Sequence, residues 1–171
     1  MPRGRRWHHV PMMLRTDQPD SPLDTAGSRL NLLLSYGGWR EGSVVEQLPR
    51  LLEPMGILSI RVASGEEAAE VIQSVTVHIA LVDLAIPLQR RGPGSEAGGH
   101  RILQLLFRLE QPPPTVVIRP PQPVSRESTR GLSDALRQGA FAVLDRPISL
   151  ETTLEVMRRI LRRHYEDMWP A

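Results

Sequence analysis

Five times along this chain a short apolar run gives way to a segment of helical periodicity, and that alternation restricts the fold more than any other feature of the sequence. The runs are Leu30–Leu34, Ile57–Val62, Val77–Val82, Thr115–Ile118 and Phe141–Leu144, each short and apolar enough for a strand buried on both faces. Ser35-Tyr36-Gly37-Gly38 closes the first run in a Gly turn. Ser43 and Glu46 then have capping-box spacing, and Val44, Val45, Leu48, Leu51, Leu52 and Met55 form one helical face, kinked at Pro49 and ended by Gly56. Ser64 caps a second helix through Ile72, with Glu66 and Glu67 in the first turn, where the helix dipole favours acids. After a Gly- and Pro-rich loop, Arg90–Gly99, the residues Ile102, Leu103, Leu105, Leu106 and Leu109 pattern a third helix that stops before Pro112. A fourth is expected over Ser125–Gln138, with Leu132, Ala135 and Leu136 inward and Gly139 at its end, and a fifth from Ser149 to about Tyr165.

Successive strand–helix units need right-handed crossovers, which place helices on both faces of a parallel sheet. The expected class is α/β, a doubly wound five-stranded parallel sheet. In such sheets ligands gather at the carboxyl ends of strands beside the topological switch point, which directs attention to Ser35-Tyr36, Asp83, Arg119 and Asp145-Arg146.

At 171 residues and 40% hydrophobic, the chain supports one core. Residues 1–28 hold four prolines and no sustained periodicity apart from the apolar patch Val10–Leu14, and read as a flexible N-terminal arm; 29–165 form the domain and 166–171 a tail. Absence of cysteine excludes disulfides and thiolate chemistry. All 21 basic residues are arginine against 19 acids, a net charge of +2 that does not call for a polyanion. No apolar run is long enough to span a bilayer, and the Arg-rich start lacks the apolar stretch of a secretory signal, so no membrane partner and a cytoplasmic location are expected.

Three segments carry a family resemblance: Leu81-Val82-Asp83-Leu84-Ala85-Ile86-Pro87, Asp134-Ala135-Leu136-Arg137-Gln138-Gly139-Ala140, and Val143-Leu144-Asp145-Arg146-Pro147-Ile148-Ser149. Together they resemble the CheY-like receiver domain of two-component response regulators, over roughly residues 29–165. The resemblance implies a flavodoxin-like strand order, 2-1-3-4-5, a phosphate-accepting aspartate at Asp83, and a proline at Pro147 that usually follows a cis bond. The acidic pair that such domains use to hold magnesium falls at Ser35 and Tyr36, the strand-four hydroxyl at Arg119 and the strand-five lysine at Arg146. A lone carboxylate makes a poor magnesium site. The resemblance therefore implies a degenerate, pseudo-receiver domain with no cofactor, its magnesium site lost. In it arginine is expected to replace the ion, Arg119 and Arg146 both standing within reach of Asp83; in the competing arrangement Arg119 points outward from the Pro-rich loop and only Arg146, or neither, reaches Asp83.

The expected function is a phosphorylation-independent interaction module, not an enzyme, in phosphorelay-type signal transduction or protein localisation. An atypical receiver still phosphorylated on Asp83 is one alternative, and a nucleic-acid-binding regulator using the arm and the last helix another. Nucleic acid is not the expected partner, because the run Arg158, Arg159, Arg162, Arg163 suits a solvated helix end near Glu155; nucleotide is not expected either, because the Gly-rich strings lack the lysine and hydroxyl residue of a P-loop. The expected partner is a protein, with self-association as one form, through the fourth and fifth helices and the fifth strand: Arg130, Arg137, Glu151, Glu155, Arg158 and Arg162. His8-His9 has no third ligand, His78 is a half-buried packing residue and His100 a helix-start residue.

Overall fold

The computed structural model describes residues 29–37, 44–90, 97–121 and 134–165. The arm, the tail, Ser43, Leu132 and Arg130 therefore lie outside the described residues. The strands are β1 (Leu30–Ser35), β2 (Ile57–Val62), β3 (Ile79–Asp83), β4 (Thr115–Arg119) and β5 (Ala142–Asp145), all parallel and ordered β2-β1-β3-β4-β5. Four of them run one residue past the apolar stretch and end on a polar side chain: Ser35, Asp83, Arg119 and Asp145. Backbone pairing continues where hydrophobicity stops, and so the carboxyl edge of the sheet is polar. At the other end, β3 starts at Ile79 and not Val77, because the His78 side chain intervenes: its Nδ1 accepts the Asn31 N–H, 3.0 Å.

Five helical segments are described: α1 (Val44–Leu52), α2 (Gly65–Ser74), α3 (Gly99–Phe107), the end of a fourth, α4, over 134–137, and α5 (Leu150–His164). Ser64 accepts the Glu67 N–H at 3.2 Å while the Glu67 carboxylate accepts the Ala63 N–H at 2.8 Å, so the cap predicted at Ser64 forms; Ser149, at the predicted start of the last helix, also caps it, accepting the Thr152 N–H at 3.0 Å. Pro49 sits inside α1 without ending it; the helix tightens after Leu52 into a 3-10 turn, Glu53–Met55, closed by Gly56 at φ 77°.

Alternating strand residues feed two cores. Leu32, Leu34, Leu81, Val116 and Ile118 meet α1 and α5 on one face, whereas Leu33, Ala80, Val82 and Val117 meet α2 and α3 on the other. The apolar face of α1 is narrower than its pattern suggests. Val45, Leu48 and Leu52 are buried, but Leu51 is exposed, and the tighter 3-10 turn rotates Met55 off the stripe. Leu136 is likewise exposed and not inward, since the turn holding Ala135 against the core points the next residue about 100° away. Among the described residues no helix is long and apolar enough to cross a membrane.

Candidate functional site at the carboxyl edge

Asp83, the last residue of β3, has no exposed surface. One carboxylate oxygen accepts the Gly37 N–H at 2.8 Å and the other the Ala85 N–H at 2.9 Å. The first oxygen also receives a charge-assisted hydrogen bond from the Arg146 guanidinium, an ion pair with the acid at its buried end. Ser35 is equally buried, and its hydroxyl accepts the Asp83 N–H at 3.2 Å. The Tyr36 ring lies against the other side of the arginine, 4.9 Å from ring centre to guanidinium carbon, within cation–π range. Arg146 Nε is buried and makes no hydrogen bond among the described residues, so this guanidinium is desolvated along one edge. The bond from Arg146 to Pro147 is cis.

Asp83, Ser35, Tyr36 and Arg146 thus share one pocket, and Arg119 does not join it. Arg119 is 5% exposed, so it does not turn outward either; its Nε and Nη2 each lie 2.8 Å from Asp145 Oδ1. The register explains the correction. Arg119 and Asp145 are directly paired on β4 and β5, whereas Asp83, on β3 at the other side of β4, is paired with Ile118; because side chains alternate along a strand, Asp83 stands on the opposite face of the sheet from Arg119. The Arg146 N–H also donates to the Arg119 carbonyl at 3.1 Å, which ties the exits of the two strands together.

Backbone closes the pocket from above and behind. A Cβ on Gly99 would stand 2.5 Å from the Leu84 Cα and 2.6 Å from the Asp83 carbonyl oxygen, and one on Gly37 would stand 3.0 Å from the Ala85 oxygen. Only glycine lets α3 and the β1 exit come this near the Asp83 segment. Periodicity gave no hint of these two roles, because a glycine after a strand looks the same whether it turns the chain or admits a neighbour. The base of the β3–α3 loop is also tied down: Gly98 N–H donates to the Ile86 carbonyl at 2.6 Å, Gly65 N–H to that of Pro87 at 2.9 Å and Glu66 N–H to that of Leu88 at 3.0 Å. Residues 91–96 at its tip lie outside the described residues.

The residues named for a contact surface, Arg137, Glu151, Glu155, Arg158 and Arg162, are all exposed, with Glu155 and Arg158 3.9 Å apart along one helix. His78 is half-buried, and burial pushes its pKa below the ordinary 6.5; His100 is the exposed second residue of α3. Burial likewise pushes the Tyr165 hydroxyl up from its ordinary value, and that hydroxyl donates to the His78 carbonyl at 2.6 Å. Among the described residues no three His, Asp or Glu side chains come together as a metal site.

No family model matches the sequence, and a comparison with curated proteins finds no match. Solved structures are similar in shape. A signal receiver domain from Vibrio parahaemolyticus matches with a TM-score of 0.63 at 18% identity, over 82% of this chain and 97% of that one. A CheY-like response regulator receiver domain protein from Methanospirillum hungatei JF-1 matches at 0.60 and 18%, over 82% and 99%. The receiver domain of NtrX from Brucella abortus matches at 0.56 and 18%, over 77% and 98%. With the sheet order and the carboxyl-edge pocket in view, these likenesses identify the architecture: the chain has the fold of the response regulator receiver domains.

Proposed function

We propose that this domain is a protein-interaction module of two-component-type signalling that works without phosphorylation, its pocket held in one state by Arg146. The observation that carries this reading is the fully buried Asp83 carboxylate, already engaged by two backbone amides and a guanidinium. A carboxylate that attacks a phosphoryl group needs a free oxygen lined up with the donor, and cationic help on the charge that develops. Here the oxygens are spoken for. The cation present is also the group that occupies the nucleophile.

The pocket does not fit magnesium. A hard divalent ion wants several oxygen donors, carboxylates above all, around a place it can enter. Ser35 is turned to the Asp83 amide and the Tyr36 ring to the arginine, so neither position supplies the second carboxylate. Arginine instead neutralises Asp83 permanently, since its guanidinium does not deprotonate at ordinary pH. A receiver fold whose central charge cannot be altered offers its partners a constant surface, and recognition of a protein partner is the role left to it.

The test is incubation with magnesium and acetyl phosphate, followed by intact-mass measurement. The expected outcome is no gain of a phosphoryl group, and partner capture from the native host that is unchanged by the phosphodonor and by Asp83→Asn. Chelator-sensitive labelling that disappears in Asp83→Asn would overturn the reading.

A further inference from the structure

Between α1 and α5 the domain leaves an apolar groove with a volume of about 160 Å³, lined by Leu51, Met55, Leu154, Met157 and Leu161 with Arg158 at its rim. Leu51 and Met55 are 43% and 38% exposed, whereas Leu48 and Leu52 on the same helix are buried to 0% and 1%. Leu58 and Leu136 are as exposed elsewhere; what sets Leu51 and Met55 apart is that they open onto an apolar groove, the form of surface to which another apolar segment can dock.

Where the chain enters the sheet bears on what that is. The Leu30 N–H donates to the Gly56 carbonyl at 3.1 Å, so β1 begins beside the 3-10 turn whose last residue, Met55, lines the groove. Residues 1–28 precede this point outside the described structure, and they contain one continuous apolar segment, Val10-Pro11-Met12-Met13-Leu14. Extended, that segment spans roughly 17 Å, against a rise of about 10 Å along α5 from Leu154 to Leu161. Residues 15–29 can reach about 50 Å, ample for the return from the groove to β1. Charge agrees with this placement. Asp17, Asp20 and Asp24 lie inside that connecting stretch, between Arg15 and Arg29 at its ends, and α5 offers Arg158 at the groove and, one turn on, Arg162, as partners for those acids. Methionines on both sides suit an interface whose shape is filled by flexible side chains.

We propose that Val10–Leu14 lies over the α1–α5 groove of its own chain and withholds that face from other proteins. Tethering sets the local concentration of the segment in the millimolar range, so a second copy supplying the same segment at micromolar concentration competes poorly. The proposal does not depend on how the Asp83 pocket is read.

The full chain has no cysteine, which permits a direct test. In Met13→Cys/Met55→Cys, mild oxidation is expected to form a disulfide within one chain, at a rate independent of protein concentration and at least tenfold above that of Met13→Cys/Arg137→Cys. Equal rates in the two pairs would overturn the proposal, as would linkage found only between chains, which would assign the groove to a second copy. A second measurement uses single Met55→Cys with a maleimide reagent. Adding Met12→Asp, Met13→Asp and Leu14→Asp to the full chain is expected to raise the labelling rate several-fold, and an unchanged rate would overturn the proposal.

Discussion

The two ends of the sheet solve the same problem by different means. At the carboxyl edge the strands carry ions into the interior beside the neutral Ser35, and each buried ion meets a more exposed partner: Asp83, with its side chain 0% exposed, meets Arg146 at 22%, and Arg119 at 6% meets Asp145 at 57%. At the amino edge the bonds are neutral. The Asn31 N–H donates to His78 Nδ1, the Asn31 amide to the Thr76 carbonyl at 2.9 Å, and the Tyr165 hydroxyl to the His78 carbonyl. The difference predicts how each end fails: the carboxyl edge when a charge is removed, the amino edge when one is added.

The largest effect should come from Arg146→Met, which leaves Asp83 charged, buried and short of its counter-ion. A loss of about 3 to 5 kcal/mol of unfolding free energy is expected by urea titration; a loss under about 1 kcal/mol would place this pair among surface salt bridges and break the contrast. Asp145→Asn should cost less, about 1 to 2 kcal/mol, because the amide oxygen still accepts from Arg119 and the position faces water.

The amino edge is sharpened by pH. The folded His78 pKa lies below its ordinary 6.5, so as pH falls through 6.5 the unfolded chain takes the proton first and stability drops, the loss being complete only below the folded value. Protonation also converts Nδ1 from acceptor to donor, facing the Asn31 N–H. Urea titrations at pH 7.5 and 5.5 should show a fall of about 1 kcal/mol, the usual worth of a hydrogen bond, and His78→Gln should lose most of that dependence. Equal pH dependence in the two chains would mean that acid acts elsewhere. The smallest effect tests the independence of the two ion pairs. Coupling between Asp83→Asn and Arg119→Met should stay below about 0.5 kcal/mol, whereas a pocket shared by both arginines would give more.

The architecture was legible because burial on both faces leaves a strand few choices: five apolar runs with helical segments between them permit little besides a doubly wound sheet. The union of Asp83 with an arginine was legible too, for a carboxylate at a strand end among arginines needs a partner. Which arginine was not. Arg119 ends β4 and Arg146 directly follows β5, both on the same carboxyl edge, and Asp145 was hidden as a partner by its place in the motif that names Arg146 and Pro147. The pairing of Arg119 with Asp145 depends on the β4–β5 register, which sequence spacing does not reveal. The exposure of Leu51, Met55 and Leu136 was hidden for a related reason, since periodicity marks an apolar face but not how much of it meets a neighbour.

The loop after β3 carries one more consequence. Its carbonyls at Pro87 and Leu88 accept the first amides of α2, so the N-terminus of that helix is completed by a loop distant in sequence. When the loop lifts, those two amides lose their acceptors together. Hydrogen exchange at Gly65 and Glu66 therefore records the opening of the β3–α3 segment, and a partner that clamps the segment will slow exchange on a helix it never touches.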